Sequence, residues 1–264
     1  MKQSFNRDLA TTSASVATFS AANVRRARLR HPGLPIHKVV IVRSTDRDQL
    51  RDQITGRKAI RTGAYPSRKM QRGRFGEAAA ELARIIQEEV DVGVVDAIAQ
   101  PCRGEVLLDD GWHVHLPDFA NLRSDGRRVL IDAKRDWSDF RTANGRRQTF
   151  LGQIIAEAMG YDYEHYVLAH AGTARRRENV DTVQAARFVS VPDHLVALAA
   201  ATVGKGPIAL RNLAAILHPV YGRSMAYALM VRRVVEIDLD GKLGDHSECR
   251  AVPPLPVAMP SIRQ

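Results

Sequence analysis

The chain contains little cysteine and no long apolar run. Only Cys102 and Cys249 occur among its 264 residues, and they lack the spacing of metal ligands. Two such cysteines predict a reducing, cytoplasmic environment and no zinc site. No stretch approaches the roughly 18 consecutive apolar residues of a membrane span, and the N-terminus lacks the apolar core of a signal peptide. The sequence therefore predicts no membrane association.

Two classes of enzyme lose support because their signatures are missing. The sequence has no Gly-rich phosphate loop, which argues against nucleotide hydrolysis. It also gives no support for a Ser-His-Asp or Cys-His catalytic group. Hydrophobic residues nevertheless make up 45% of the chain, so it can bury a substantial core. The length suggests one large domain or two modest ones.

Acidic residues are scarce in the first quarter of the chain. Residues 1–74 hold 17 of the 39 Lys and Arg residues but only 4 of the 29 Asp and Glu residues. A basic segment on a nearly neutral body predicts contact with nucleic-acid phosphates, and a solvated tail or a localisation patch is the alternative. Residues 1–24 are rich in Ser, Thr and Ala, and we expect disorder at the very start of the chain. The last cluster of this segment comprises Arg68, Lys69, Arg72 and Arg74.

Periodicity and turn residues beyond this segment predict an α/β core with a mixed β-sheet. Two Asp-Gly pairs predict tight turns, at residues 110–111 and 125–126. A helix over 73–90 has its apolar residues on one face (Phe75, Ala79, Leu82, Ala83 and Ile86). The other predicted elements are strands over 38–42, 95–108, 112–122 and 128–134, a polar loop over 136–147, a helix over 150–159 stopped at Gly160, a strand over 166–169, a basic loop over 171–177, a helix over 180–186, a strand over 188–191 and a helix over 193–203 capped by Asp193.

Two aspartates and a lysine stand on neighbouring predicted strands. Asp118 follows a proline, and Asp132 interrupts an apolar run, which is costly in a buried strand unless the carboxylate is paired or liganded. The turn between the strands brings Asp118 beside Asp132. Lys134 lies two residues beyond Asp132, so both side chains point to the same face. Taken singly, Asp118 could cap a turn and Lys134 could be a simple ion-pair partner.

Together these three residues predict metal-dependent phosphodiester hydrolysis. Two carboxylates can hold Mg²⁺ or Mn²⁺ through oxygen, and Lys134 can orient a water or offset charge on a phosphate. We expect Glu77, on the preceding helix, to complete the site directly or through water. The alternative is a solvated Glu77 on the polar face of that helix, together with Glu81 and Arg84.

His113 and His115 share one face of the strand that precedes Asp118. We expect the carboxylate of Asp118 on the opposite face. The two histidines are therefore predicted to be structural or close to DNA, and not to be metal ligands.

The stretch from about residue 70 to 172 resembles the TnsA family of transposon-end endonucleases, within the PD-(D/E)xK nuclease superfamily. The resembling parts are the Glu77 helix, Ala99-Gln100-Pro101, His115-Leu116-Pro117-Asp118-Phe119, Ile131-Asp132-Ala133-Lys134 and the segment 160–169 (GYDYEHYVLA).

This resemblance implies a restriction-endonuclease-like fold and catalysis by Glu77, Asp118 and Lys134, with Asp132 beside them. It implies Mg²⁺ or Mn²⁺ as the cofactor and nicking of double-stranded DNA at the 5′ ends of a transposon. It also implies two protein partners, a DDE transposase subunit that cuts the 3′ ends and an AAA+ regulator.

A Gly- and Pro-containing linker over 204–207 precedes two short predicted helices and a hairpin, which look like a winged helix. We therefore expect a basic N-terminal segment over 1–72, a nuclease domain over 73–203 and a winged-helix-like C-terminal domain with a tail over 204–264. Two alternatives stay open. One is another nuclease of the same fold, for restriction or repair, and the other is a DNA-binding assembly factor that kept the fold without cutting.

Overall fold

The computed structural model describes residues 14–20, 35–44 and 63–262, which form a mixed α/β structure of four β-sheets and seven α-helices. The strands are β1 (Ala14–Ser20), β2 (Lys38–Ser44), β3 (Gly63–Ser67), β4 (Arg72–Gly76), β5 (Val94–Ala99), β6 (Arg103–Leu108), β7 (Gly111–His115), β8 (Phe119–Arg123), β9 (Arg128–Lys134), β10 (Asp162–Val167), β11 (Ile208–Ala209), β12 (Val235–Ile237) and β13 (Glu248–Ala251). The helices are α1 (Ala79–Val90), α2 (Trp137–Arg141), α3 (Ala143–Met159), α4 (Ala174–Ala185), α5 (Asp193–Gly204), α6 (Leu210–Leu217) and α7 (Gly222–Val231). No helix in these ranges is both long and apolar enough to cross a membrane.

The central sheet has the strand order β10-β9-β8-β5 and is mixed, as the sequence predicts. Strands β5, β8 and β9 are antiparallel neighbours, and β10 runs parallel to β9. Helix α1 covers one face, where Ile85 packs with Phe119, and α3 covers the other, where Ile154 packs with Leu130. Because both faces are covered, the middle of β9 is an unbroken apolar run.

Two predicted strands are each broken by a proline. The predicted strand over 95–108 divides at Pro101 into β5 and β6, and the one over 112–122 divides at Pro117 into β7 and β8. Strands β6 and β7 pair with each other in a second sheet, of order β1-β2-β6-β7. Proline lacks the N–H that a ladder needs, so each proline marks a passage between the two sheets. Both Asp-Gly turns lie where predicted, between β6 and β7 and between β8 and β9.

Residues 14–20 form a strand, and the very start of the chain, where disorder is expected, lies outside the described residues. Strand β1 pairs antiparallel with β2, with Val16 opposite Val42. Backbone hydrogen bonds to β2 stabilise an extended segment that has little apolar content of its own. The predicted strand over 38–42 is confirmed as part of β2.

Helix α1 begins later than predicted. Residues 72–76 form β4, which pairs with β3, and the helix starts at Ala79. Glu77 therefore lies in the connection between β4 and α1, and not on the helix. The predicted apolar face is also rotated, because Leu82 and Ile86 line a groove against α4 while Ile85 enters the core.

A buried ionic network joins the β3–β4 hairpin to α1 and the central sheet. Glu88 is fully buried and accepts hydrogen bonds from Arg74 at 2.6 Å, from Arg84 at 2.7 Å and from the amide of Asn121 at 2.7 Å. Burial alone would raise the pKa of Glu88, but the two guanidinium groups and the amide outweigh it and lower the pKa to about 2. Glu88 is thus held ionised inside the protein.

This network corrects the expectation that the whole basic segment faces nucleic acid. Arg74 is bound to Glu88, and Arg72 binds Asp96 at 2.7 Å. The ammonium of Lys69 donates to the carbonyl oxygens of Glu88 and Asp91 at the end of α1. These three cations therefore bind carboxylate and carbonyl groups of the protein itself. The cluster over 25–30 lies outside the described residues.

Side-chain caps turn the predicted polar loop over 136–147 into helix. Asp136 and Asp139 form a capping box at the start of α2, and Thr142 accepts a hydrogen bond from the backbone N–H of Gly145 at the start of α3. Helix α3 ends at Gly160, which is left-handed with φ 67°, as predicted. The predicted strand over 166–169 begins earlier, as β10.

Three smaller predictions between residues 171 and 204 are wrong. The basic loop over 171–177 contains the first turn of α4, capped by the Thr173 hydroxyl. Residues 188–191 form a connection between helices that finds no strand partner in the described ranges. Asp193 is the first residue of α5 and not its cap, which is Pro192. Its charge still lies near the positive end of the helix dipole.

The C-terminal region adds α6, α7 and a three-stranded sheet of order β11-β13-β12. Its core includes Leu213 and Leu229, and the same hydrophobic cluster contains Val203 and Val183. The cluster therefore has members on both sides of the predicted boundary at residue 204. Most of α7, from Ala226 to Val231, is buried.

Close packing of α6 against α7 depends on Gly222. A Cβ at this position would lie 1.8 Å from the backbone oxygen of Ala214. Gly222→Ala is therefore expected to lower the free energy of unfolding by about 3 kcal/mol. Gly204→Ala is the matched control, since nothing lies within 4 Å of its Cβ, and it should change stability by less than about 1 kcal/mol. Urea unfolding measures both, and equal losses would contradict the close approach.

Candidate functional site

Asp118 and Asp132 lie side by side where β8 begins and β9 ends. Phe119 pairs with Ile131 across the two strands, and Asp118 Oδ2 accepts a hydrogen bond of 2.7 Å from the backbone N–H of Ala133. Asp132 is 1% exposed and Asp118 is partly buried. The structure thus brings together the two carboxylates that the sequence places on neighbouring strands.

Asp132 is held by two side chains that the sequence analysis did not assign to the site. Nε2 of His115 lies 2.9 Å and 3.1 Å from its two carboxylate oxygens, and the hydroxyl of Tyr163 donates to Oδ2 at 2.6 Å. The expectation that His115 faces away from the carboxylates is wrong. Strand β7 ends at His115, so the alternation of faces is not continued through Pro117 to Asp118.

The two carboxyl groups differ in charge state because their surroundings differ. Burial, together with the negative charges of Asp132 and Glu81, raises the pKa of Asp118 well above its usual range. Burial would also raise the pKa of Asp132, but the hydrogen bonds from His115 and Tyr163 hold it below its usual value. When a single proton is shared at this place, it resides on Asp118 and Asp132 stays ionised.

Lys134 completes the predicted group at the end of β9. It lies two residues from Asp132 on the same strand. Its positive charge opposes the rise in the pKa of Asp118 and contributes to the low pKa of Asp132. Within the described parts of the chain, its ammonium forms no ion pair shorter than 4.0 Å. Its charge is therefore available to a phosphate that approaches the two carboxylates.

Glu77 forms no three-ligand metal group with Asp118 and Asp132 among the described residues, and its neighbour Glu81 lies close to Asp118. The backbone N–H of Glu77 donates to the carboxylate of Glu81 at 2.8 Å, in the first turn of α1. It is the charge of Glu81 that acts on Asp118. Helical periodicity predicts a solvated face for Glu81, but α1 starts at Ala79, which places Glu81 in its first turn and leaves Glu77 before the helix.

Gln100 has an unusual backbone beside the site. Its φ is +46°, in the left-handed region that non-glycine residues rarely adopt, and its N–H donates to the backbone oxygen of Asp118 at 2.8 Å. Its side-chain oxygen is buried and has no hydrogen-bond partner among the described residues. Strain and an unpaired polar atom of this kind concentrate at functional sites.

The donor chemistry of the carboxylate pair fits a hard divalent cation. Mg²⁺ binds through oxygen, keeps several waters and is held in many sites by one or two carboxylates together with substrate phosphates. Asp118 and Asp132 supply two such carboxylates, and their mutual repulsion is relieved by a cation. Across residues 14–20, 35–44 and 63–262, no group of three or more Asp, Glu, His or Cys side chains is arranged to hold a metal. Waters or phosphate oxygens would therefore supply the remaining ligands.

Signals for the missed residues were present but weak. Tyr163 belongs to a run of alternating aromatic residues (Tyr161, Tyr163 and His165), which in retrospect indicates a strand that starts before residue 166. The role of His115 could be predicted only by treating Pro117 as a strand break.

Comparison of the sequence with protein-family models and with curated proteins gives no match.

Proposed function

We propose that this protein is a metal-dependent DNA endonuclease. The observation that carries the proposal is the pairing of Asp118 with Asp132, with Lys134 on the same strand face as Asp132. Two adjacent carboxylates and a lysine that forms no ion pair with another described residue are the groups that phosphodiester hydrolysis with a divalent cation requires.

The order of elements around the pair supports a restriction-endonuclease-like core. Helix α1 is followed by three antiparallel strands of the central sheet (β5, β8 and β9), then by α3, and then by β10 parallel to β9. This is the arrangement expected of PD-(D/E)xK nucleases. The β6–β7 hairpin is an insertion between the first and second strands of that core.

Each residue of the group has a role that follows from its contacts. Asp118 and Asp132 would hold Mg²⁺ or Mn²⁺, which supplies an acidified water and positive charge at the scissile phosphate. His115 and Tyr163 fix the orientation of Asp132 and keep it ionised. Lys134 orients the attacking water or offsets charge on the phosphate. The products are a 5′-phosphate and a 3′-hydroxyl.

The C-terminal region supports a winged-helix-like module that starts earlier than residue 204. Its elements are a helix, a short strand, two helices and a two-stranded hairpin, from α5 to β13, and its three strands form one sheet. In helix-turn-helix proteins the second helix enters the major groove. Here the corresponding helix, α7, is mostly buried, and only its N-terminal end with Tyr221 and Arg223 is exposed. Contact with DNA through α7 is therefore limited to that end.

The narrower proposal is that the protein cuts transposon 5′ ends in the manner of TnsA, with a DDE transposase subunit and an AAA+ regulator as partners. It rests on the resemblance over residues 70–172 and on the geometry of Asp118, Asp132 and Lys134. One alternative is a non-cutting DNA-binding factor on the same fold.

Nicking of supercoiled plasmid tests the proposal. We expect nicking with Mg²⁺ or Mn²⁺, no nicking with EDTA, and a loss of rate on the order of 10³-fold in Lys134→Ala, because Lys134 stabilises charge in the transition state. Lys205→Ala, at an exposed lysine after α5, is the matched control and should nick at the wild-type rate. DNA binding without any metal-dependent nicking, and without binding of Mg²⁺ or Mn²⁺ in calorimetry, would favour the non-cutting factor.

A further inference from the structure

An exposed tryptophan stands at the edge of the candidate site. Trp137 is the first residue of α2, three residues beyond Lys134, and it is 40% exposed. Its exposed ring therefore lies within reach of a ligand that approaches Lys134.

A continuous chain of ring contacts connects Trp137 to Asp132. The Trp137 ring lies 5.8 Å from the rings of both Phe140 and His165, measured between centroids. The ring of His165 lies 5.1 Å from that of Tyr163, whose hydroxyl donates to Asp132. The tryptophan is therefore fixed in position relative to the carboxylate pair by two intermediate rings.

The indole is held by a rigid support. The capping box of Asp136 and Asp139 fixes the first turn of α2, with a hydrogen bond of 2.8 Å from the Ser138 N–H to Asp136. Phe140, on the same short helix, is buried and packs against His165 at 4.2 Å between centroids. An aromatic ring that is already ordered loses little entropy when a flat ligand stacks on it.

Cationic side chains flank this tryptophan along the chain. Two arginines close to it in sequence, Arg135 and Arg141, form no ion pair with any other described residue. The acidic residues of α2 are occupied in its capping box. The exposed cations along this stretch are Arg135, Arg141, Arg146 and Arg147.

We propose that Trp137 stacks on an unpaired nucleobase of the DNA strand whose phosphate lies at Asp118 and Asp132. The neighbouring arginines bind the adjacent phosphates. In duplex DNA both faces of each base are covered by its neighbours, so only an unpaired or extruded base can lie against an indole ring. This inference rests on the proposed function. It assigns to the enzyme a substrate with a single-stranded or locally opened segment beside the cleaved bond.

The two tryptophans of the chain allow a direct test. Trp112→Phe leaves Trp137 as the sole indole, and Trp112, on β7, is itself exposed and so tolerates the change. A 20-nucleotide oligothymidylate, added in EDTA to prevent cleavage, is expected to quench the fluorescence of Trp137. In the full-length protein, Trp137→Ala should weaken binding of this oligonucleotide by about 5- to 150-fold, while Trp137→Phe keeps most of the affinity.

The controls separate stacking from other causes. Trp112→Ala should leave oligothymidylate binding unchanged, and Trp137→Ala should change the affinity for a blunt 20-base-pair duplex by less than about twofold. The inference would be overturned if wild type and Trp137→Ala bind oligothymidylate with equal affinity. It would also be overturned if Trp137→Ala and Trp137→Phe lose affinity equally and both melt at a lower temperature.

Plasmid nicking is measured separately. If Lys134→Ala loses nicking and Trp137→Ala binds oligothymidylate as wild type does, stacking is refuted and the proposed nuclease activity stands. Stacking without nicking in the wild type refutes the nuclease.

Discussion

Asp118→Asn is expected to abolish metal-dependent cleavage and, at the same time, to stabilise the protein. Asp118 is partly buried beside Asp132 and Glu81, and these surroundings raise its pKa well above the usual range. An asparagine removes the repulsion, and its side-chain oxygen can still accept the hydrogen bond from Ala133 N–H. The neutral side chain is a poor ligand for Mg²⁺, so cleavage should fall on the order of 10³-fold or more.

The gain in stability depends on pH in a defined direction. Because the folded-state pKa of Asp118 is raised, the folded wild type binds a proton that the unfolded chain releases as the pH rises. The contribution of Asp118 to stability is therefore largest in acid and falls as the pH rises above the ordinary pKa of an Asp. Asp118→Asn lacks this loss, so its free energy of unfolding should exceed that of wild type at neutral pH, and the difference should disappear as the pH falls towards the ordinary pKa of an Asp.

Urea unfolding at a series of pH values, together with plasmid nicking, measures both effects. Asp181→Asn, at an exposed position on α4, is the matched control and should alter the free energy of unfolding by less than about 0.5 kcal/mol. If Asp118→Asn is less stable than wild type, the two carboxylates act as a structural hydrogen-bonding group and not as ligands for a metal ion. Full nicking activity in that variant would remove Asp118 from the site.

Glu88→Gln is expected to cost about 3–5 kcal/mol of folding free energy, since it leaves two buried cations without their counter-charge. Arg74 and Arg84 both donate to Glu88, and Arg74 is only 2% exposed. Two nitrogens of Arg74 already lack a hydrogen-bond partner among the described residues. Glutamine has nearly the same size as glutamate, so the lost folding free energy would come from the missing charge and not from a cavity.

Acid titration provides a second readout of the same network. Folding lowers the pKa of Glu88 from 4.5 to about 2, so the stabilisation is present above pH 4.5 and is lost as the pH falls towards 2. Glu88→Gln should lack this part of the acid dependence. Glu157→Gln, at an exposed position on α3, is the control for a Glu-to-Gln change and should follow the wild-type curve. A Glu88→Gln variant that unfolds with the wild-type free energy would show that water enters the network and solvates the arginines.

Local signals predicted the part of the fold that holds the carboxylate pair. The Asp-Gly turn before β9 and the apolar run within it fix the register of β8 against β9, and that register places Asp118 beside Asp132. The stop of α3 at Gly160 follows from the same kind of local rule. None of these features needs information from distant parts of the chain.

The errors arise where distant residues decide the outcome. Helical periodicity places Glu88 on a polar face, yet Arg74 and Asn121 make its burial favourable from other elements. His115 enters the site only because the chain changes sheets at Pro117. Likewise, residues 72–76 have a pattern compatible with helix, but pairing with β3 makes them a strand. Tertiary context outweighs local propensity in each case.

The passage of the chain between two sheets makes the surroundings of Asp132 depend on both of them. His115 belongs to the second sheet, whereas Asp132 and Tyr163 belong to the central one, so the carboxylate has both partners only where the two sheets are docked. A change that loosens the second sheet would therefore remove the imidazole from Asp132 while the hydroxyl of Tyr163 stays in place.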